Sequence, residues 1–306
     1  MTARRPPSTG LPVEEVIPEV QRALSEAGQA VLVAPPGSGK TTVVPLHLVG
    51  EPWRQGRKIV MLEPRRLATR AAARRMAQLL WEEPGDSVGY VTRTDRRTGP
   101  NVVVEVVTEG VLTRRLQRDP ELSDTAAVIF DELHERNLQT DLGLALALHA
   151  RALFRPDLRL LIMSATIDAR RVAGIVGGTE PAPVIESAAR RHPVDIRWTP
   201  APRNARLEDH TAAVIRQALA SEPGDALVFL PGIGEINRVA ERLGGGALGA
   251  DVRRLHGSLP IAEQDLAVAA SLPGIRKVVL STDIAESSLT VEGVRIVIDS
   301  GLARAP

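Results

Sequence analysis

Ala30-Val31-Leu32-Val33-Ala34-Pro35-Pro36-Gly37-Ser38-Gly39-Lys40-Thr41-Thr42 runs from an apolar segment through a glycine-bearing turn into a helical pattern. A phosphate chain is held most easily where several backbone N–H groups converge, and glycines let the main chain turn closely enough for that. Gly37 and Gly39 supply the freedom, with Pro36, Ser38 and Thr42 completing the loop around the anion. Lys40 would reach the β- and γ-phosphates, and the Thr41 hydroxyl would ligate Mg²⁺. Ala34 stands where the generic pattern has glycine. Lysine is rare here: Lys40, Lys58 and Lys277 are three of 38 basic residues, which leaves 35 arginines. A lysine at the one position the motif demands therefore speaks for nucleotide binding over a plain strand-to-helix turn.

Outward from this loop, apolar runs alternate with helical patterns. Val13 to Ala27 carries a helical stripe, with Pro18 placed to kink it. Lys58 to Leu62 reads as a strand leading into Glu63-Pro64-Arg65-Arg66 and a helix over Leu67–Leu80, on which Arg66, Arg70 and Arg74 share one side. Val102 to Val107 ends in Thr108-Glu109-Gly110. Ala126 to Phe130 delivers Asp131-Glu132, and Leu160 to Met163 delivers Ser164-Ala165-Thr166. Polar residues gathered where strands end describe a parallel sheet with ligands at its carboxyl edge. Gly177 to Pro183 has linker chemistry. Beyond it the rhythm resumes with strands near 226–230, 252–255, 277–280 and 294–298, giving a second α/β unit without a phosphate loop. The expected domains are a flexible tail over 1–11, an ATP-binding domain over 12–178, a linker with the first strand of the second lobe over 179–206, and a second domain over 207–306.

Composition narrows the class. The chain has 306 residues, 43% hydrophobic and 25% charged, with a net charge of +1, ordinary for a soluble α/β protein of about two domains. It has no cysteine, which excludes disulfides and thiolate metal sites. The six histidines show no paired metal-ligand spacing. Residues 1–10 lack the apolar core of a signal peptide, and no apolar run reaches the roughly 18 residues of a membrane span. The expected location is cytoplasmic, with no membrane partner.

A magnesium nucleotide needs an acidic partner across from the phosphate loop. Asp131 would hold Mg²⁺ through its water shell while Glu132 accepts the proton of the attacking water; paired acids after a strand also suit a helix N-cap region. Asp131-Glu132-Leu133-His134, followed by Glu135-Arg136, resembles the Asp-Glu-x-His box of superfamily 2 helicases. Ser164-Ala165-Thr166 is similar to their coupling motif, and Pro64-Arg65-Arg66 and Thr108-Glu109-Gly110 to their strand-binding motifs. Ser281-Thr282-Asp283-Ile284-Ala285-Glu286-Ser287-Ser288-Leu289-Thr290 looks like the motif that closes the site from the second domain. In this order the set resembles the DEAH-box group, and Met61 to Leu67, Asp131 to Leu144 and Leu230-Pro231-Gly232 look most like the bacterial HrpB-type ATP-dependent helicases.

That resemblance implies two RecA-like parallel-sheet domains of the P-loop NTPase class, with ATP between them, Mg²⁺ as cofactor and single-stranded RNA or another nucleic acid as partner. Asp131, Glu132, Lys40 and His134 would be catalytic, with His134 coupling hydrolysis to strand binding. Ser164, Thr166, Thr282 and Glu286 would transmit that coupling. Arg75 matches an arginine that stacks on the base, and Asp283 would face the nucleotide where relatives often carry asparagine. Pro64, Arg65, Arg66, Thr108, Glu109 and Gly110 would follow the sugar–phosphate track, contacts that are independent of base sequence. Two departures stand out. Leu133 replaces the eponymous alanine, and the Gln-Arg-x-Gly-Arg-x-Gly-Arg stretch that supplies the family's arginine fingers is nowhere in the 306 residues. Such an arginine is worth roughly 10³–10⁵ in turnover. The expectation is a motor region cut short, its second sheet incomplete at the C-terminus. The alternative is a fragment that binds ATP and nucleic acid with little turnover.

Overall fold

The computed structural model describes residues 6–135, 137–165, 168–188, 193–244, 248–285 and 291–304. The chain divides into two compact units, Met1–Arg191 and His192–Pro306.

In the first unit the elements run α1 (Ile17–Glu26), β1 (Gln29–Val33), α2 (Lys40–His47), β2 (Lys58–Leu62), α3 (Arg66–Leu79), β3 (Val88–Val91), β4 (Arg96–Arg97), β5 (Val104–Val107), α4 (Glu109–Arg118), β6 (Thr125–Phe130), α5 (Leu138–Leu153), β7 (Arg159–Ser164), α6 (Ala169–Gly177) and β8 (Val184–Glu186). The strands form one sheet in the order β4-β3-β5-β2-β6-β7-β1-β8. It is parallel except that β4 runs against β3. Central strands of such a sheet are buried on both faces and therefore read as continuous apolar runs. The period of two is still visible in what each face covers. Leu32, Ile59, Met61, Ile129 and Met163 pack under α1, α2 and α3. Val31, Val60, Leu62, Phe130 and Ile162 pack under α4, α5 and α6. This sandwich brings the ends of β1, β7 and β6 side by side, so the chain segments leaving those strands meet.

The second unit contains α7 (Leu207–Ser221), β9 (Asp225–Phe229), α8 (Ile233–Leu243), β10 (Ala250–Leu255), α9 (Ile261–Val268), β11 (Arg276–Ser281) and β12 (Val294–Asp299). Its four strands are parallel in the order β10-β11-β9-β12, over a core that includes Ile215, Val228, Ile236, Val239 and Leu280. No described helix is long and apolar enough to cross a membrane.

Several sequence expectations change. Pro18 does not kink a helix; Pro12–Val16 is a separate 3-10 turn and α1 begins at Ile17, so Pro18 falls where a helix N–H has no intrahelical acceptor. Residues 177–183 do not separate the units. Ala182 is buried, its N–H bonds to Ala173 O at 2.9 Å, and a Cβ on Gly177 would stand 2.4 Å from Ala182 N. The strand expected between 179 and 206 for the second lobe is Val184–Glu186 of the first, paired in parallel with β1, because β1 otherwise presents a free edge. From 193 to 206 no described residue is in a strand. The tail is also not wholly loose. The Glu14 carboxylate accepts from Ser8 Oγ and from the N–H and hydroxyl of Thr9, and Leu11 packs on the main core.

Candidate functional site

Gly37 and Gly39 both take positive φ, 76° and 94°, and Gly39 is the N-cap of α2. Its need for glycine is doubled by packing, since a Cβ there would lie 2.8 Å from Leu11 Cδ1. Val13 N–H donates to Ser38 O at 3.1 Å, so the segment before α1 braces the loop. The Ser38 hydroxyl is buried without a hydrogen-bond partner. At the N-terminus of α2 the first N–H groups have no intrahelical acceptor and point where an anion is stabilised.

From the end of β6, Asp131 and Glu132 reach this loop. Lys40 Nζ lies 2.7 Å from Glu132 Oε1, with both side chains only 6% exposed. The Thr41 hydroxyl donates to Asp131 Oδ2 at 2.5 Å, and Asp131 Oδ1 accepts the Glu132 N–H at 2.9 Å. Glu132 itself sits at φ 53°, a left-handed conformation that is costly for a non-glycine residue and here turns its carboxylate toward Lys40. Burial opposes the charge on Lys40. It is outweighed by Asp131, by the charge and hydrogen bond of Glu132, and by Glu63, and the ammonium is held above its ordinary value. Asp131 is wholly buried. Burial, aided by the Glu132 charge and opposed by Lys40, pushes its carboxyl up to about 6.

Glu63, at the end of β2, is a member of this cluster that sequence reading left unassigned. It is fully buried and its charge acts on Lys40. The available signal was an acid at the carboxyl end of the strand beside β6, the same edge that carries Asp131. The charges of Asp131, Glu132 and Glu63 all act on the one Lys40 ammonium, an acidic excess that a dication would offset. Thr41 and Asp131 offer it oxygen atoms, and no described group of three or more His, Asp or Glu residues forms a protein cage for a metal. Mg²⁺ suits such a site because it keeps waters and takes phosphate oxygens as its remaining ligands.

Ser164, buried at the end of β7, lies between the loop and the acids. Its carbonyl accepts Ala34 N–H at 2.9 Å, and its Oγ is 3.2 Å from His134 Nδ1. The same His134 nitrogen is 3.1 Å from Glu132 Oε2, although that oxygen is not aligned in a hydrogen bond. Thr166 and Arg136 lie outside the described residues, as do Glu286 and the rest of 286–290.

Of the proposed nucleic-acid contacts, Arg65 Nε is 3.4 Å from Glu135 Oε2, which ties the start of α3 to the turn after the acidic pair. Arg66 is exposed and Pro64 partly so. Thr108 N-caps α4. Glu109 accepts the Thr140 hydroxyl at 2.8 Å; burial, against that bond and with Glu135 nearby, raises its carboxyl. Gly110 is exposed, and a Cβ there would meet nothing within 4 Å. Arg75 is exposed on α3 and, among the described residues, makes no hydrogen bond or ion pair with the phosphate loop. In the second unit, Thr282 is buried and Asp283 exposed at the end of β11.

The family model described as DEAD/DEAH box helicase matches residues 14–175, and that described as helicase conserved C-terminal domain matches residues 209–306. ATP-dependent RNA helicase HrpB of Escherichia coli (strain K12) is 49% identical over 298 residues, covering 97% of this chain and 36% of that protein. The crystal structure of the Escherichia coli DEAH/RHA helicase HrpB superposes with a TM-score of 0.86 at 48% identity, over 96% of this chain and 37% of the other. A crystal structure of the E. coli DExH-box NTPase HrpB gives 0.76 at 48% identity, over 98% and 37%. The chain thus spans a little over a third of the length of these relatives.

Proposed function

Because the chain belongs to the DEAD/DEAH box helicase family, we propose that it is the motor portion of an ATP-dependent RNA helicase, acting inside the cell on single-stranded RNA. The observation that carries this reading is the meeting of Lys40 and Thr41 with Asp131 and Glu132 in one buried cluster. Lys40 and the α2 N-terminus bind the phosphates, with Ser38 lining the loop. Thr41 and Asp131 would hold Mg²⁺, which when bound would neutralise charge on the phosphates. Glu132 accepts the proton of the attacking water at its carboxylate, and its exchange of Lys40 for that water requires the ammonium to move onto phosphate. His134 stands beside both Glu132 and Ser164, which supports a role in passing the state of the site toward the strand-binding residues. Arg65, Arg66, Thr108, Glu109 and Gly110 contribute the strand grip, while Arg75, Thr282, Asp283 and Glu286 carry the assignments implied by the family.

The test separates binding from turnover. A fluorescent ATP analogue should bind with Mg²⁺, and Lys40→Ala should abolish that binding. Short single-stranded RNA should bind with an affinity that falls steeply with salt, as phosphate contacts demand. Equal nucleotide binding by wild type and Lys40→Ala would refute the reading. The 306 residues contain no arginine-finger stretch, which favours slow hydrolysis by this chain; RNA-stimulated turnover at many cycles per second would show that arginine to be dispensable.

A further inference from the structure

An ion pair between Arg65 and Glu135 joins two parts of the first unit that the mechanism above uses separately. Arg65 N-caps α3 in an extended conformation, and its carbonyl accepts the Thr69 N–H at 2.8 Å and the Thr69 hydroxyl at 2.9 Å. Its backbone is thereby fixed, and a change of partner falls to the side chain. Glu135 ends the 3-10 turn Leu133–Glu135, which follows Glu132 directly in the chain. Its N–H donates to Glu132 O at 3.0 Å, and Leu133 is buried in the core under α4, α5 and α6, so the turn and the catalytic acid form one piece. Arg65 Nε stands 3.4 Å from Glu135 Oε2, with the side chains 27% and 19% exposed. The pair is sheltered enough to outweigh an ordinary surface contact. It is also longer than the roughly 2.7–2.9 Å of a tight guanidinium–carboxylate bond, which makes it exchangeable.

A second acid stands nearby. Glu109, at the start of α4, accepts the Thr140 hydroxyl at 2.8 Å, and its carboxyl is raised by burial and by the charge of Glu135. An RNA phosphate reaching Arg65 therefore competes with one carboxylate and is repelled by both. We propose that Glu135 is a positioning residue for strand binding: it holds the Arg65 guanidinium on the catalytic turn when RNA is absent and yields it to an RNA phosphate. This rests on the reading of the chain as an RNA helicase motor. RNA that takes Arg65 releases the turn behind Glu132. A change in that turn on nucleotide binding alters the release of Arg65, and the coupling has the same size in both directions.

The test is a double-mutant cycle on the affinity for a fluorescein-labelled oligouridylate, read by anisotropy without nucleotide. Glu135→Gln, which keeps the shape and removes the charge, should tighten binding about threefold or more, the scale of a sheltered ion pair. Glu19→Gln, the same loss of charge at an exposed position of α1, should leave binding unchanged. Arg65→Gln should weaken binding, and Glu135→Gln added to it should bring no gain, because the acid acts through that guanidinium. In wild type the magnesium complex of a non-hydrolysable ATP analogue should change RNA affinity severalfold, and Glu135→Gln should bring that ratio toward one. Should Glu135→Gln fail to fold by circular dichroism, Glu135→Asp, whose carboxylate falls a methylene short of Arg65, runs the same cycle. An equal gain with and without Arg65 would make Glu135 a general repellent of RNA and overturn the proposal. So would no gain, or an unchanged nucleotide ratio. Wild type that binds no oligouridylate would refute the RNA motor reading itself, and the proposal would fall with it.

Discussion

Replacing Asp131 by Asn should make the ligand-free protein more stable while removing its use of Mg²⁺. Asp131 is fully buried and its carboxyl is raised from 3.8 to about 6. The folded state therefore holds a proton that the unfolded chain has released, and the stability tied to that proton is complete below about 3.8 and lost as the pH rises through about 6. A carboxyl raised this far corresponds to a cost on the order of 3 kcal/mol at neutral pH and above. Asparagine imitates the protonated carboxyl, and its amide oxygen still accepts the Glu132 N–H. In EDTA at about pH 8, Asp131→Asn should unfold about 6–12 °C above wild type, at about 2–4 °C per kcal/mol for a unit of this size. The advantage should shrink toward zero near pH 4. Thermal unfolding followed by circular dichroism across that pH range measures it, and magnesium nucleotide should raise the melting temperature of wild type alone. A variant less stable at pH 8, or an advantage unchanged on acidification, would refute the claim that a buried charge is held there at a cost.

Lys40→Ala, besides abolishing nucleotide binding, strands Glu132 in a buried site and should destabilise the ligand-free chain by about 3–5 kcal/mol, read from urea titration. Trp81 is 88% exposed at φ 60°, where it ends α3 with Glu82 N–H bonded to Ala77 O; Trp81→Gly should stabilise by about 1 kcal/mol because glycine pays no left-handed penalty, and a loss of stability would contradict that. Arg155, 8% exposed, donates to the carbonyls of Glu121, Leu122 and Thr125. Arg155→Ala should therefore cost about 2–4 kcal/mol by leaving buried acceptors unpaired, with Arg155→Lys recovering little of it in the same titration.

The central strands were legible because burial on both faces leaves unbroken apolar runs, as in Val128-Ile129-Phe130 and Leu161-Ile162-Met163. The phosphate loop and the acids at 131–132 were legible because their chemistry is written in consecutive residues. Val184–Glu186 was not, since three residues directly after Pro183 become a strand only through the edge that β1 offers them. Nor was Val88–Val91, interrupted by Gly89 and fixed by its pairing with β5. Within the site, Glu63 escaped notice for a related reason. Its place beside Lys40 depends on strand order, and neighbours across a sheet are separated by crossovers that no local pattern records.

The brace that Leu11 and Val13 give the phosphate loop bears on how the protein should be cut for study. The family likeness starts at residue 14, which invites trimming the chain there. Such an edit would remove the leucine resting against Gly39 and the donor that grips Ser38, and it would strip Glu14 of the serine and threonine that hold it. The shortened protein would keep every recognisable signature and yet present its anion-binding turn without a backing, so weak nucleotide affinity measured on it would describe the scissors and not the motor.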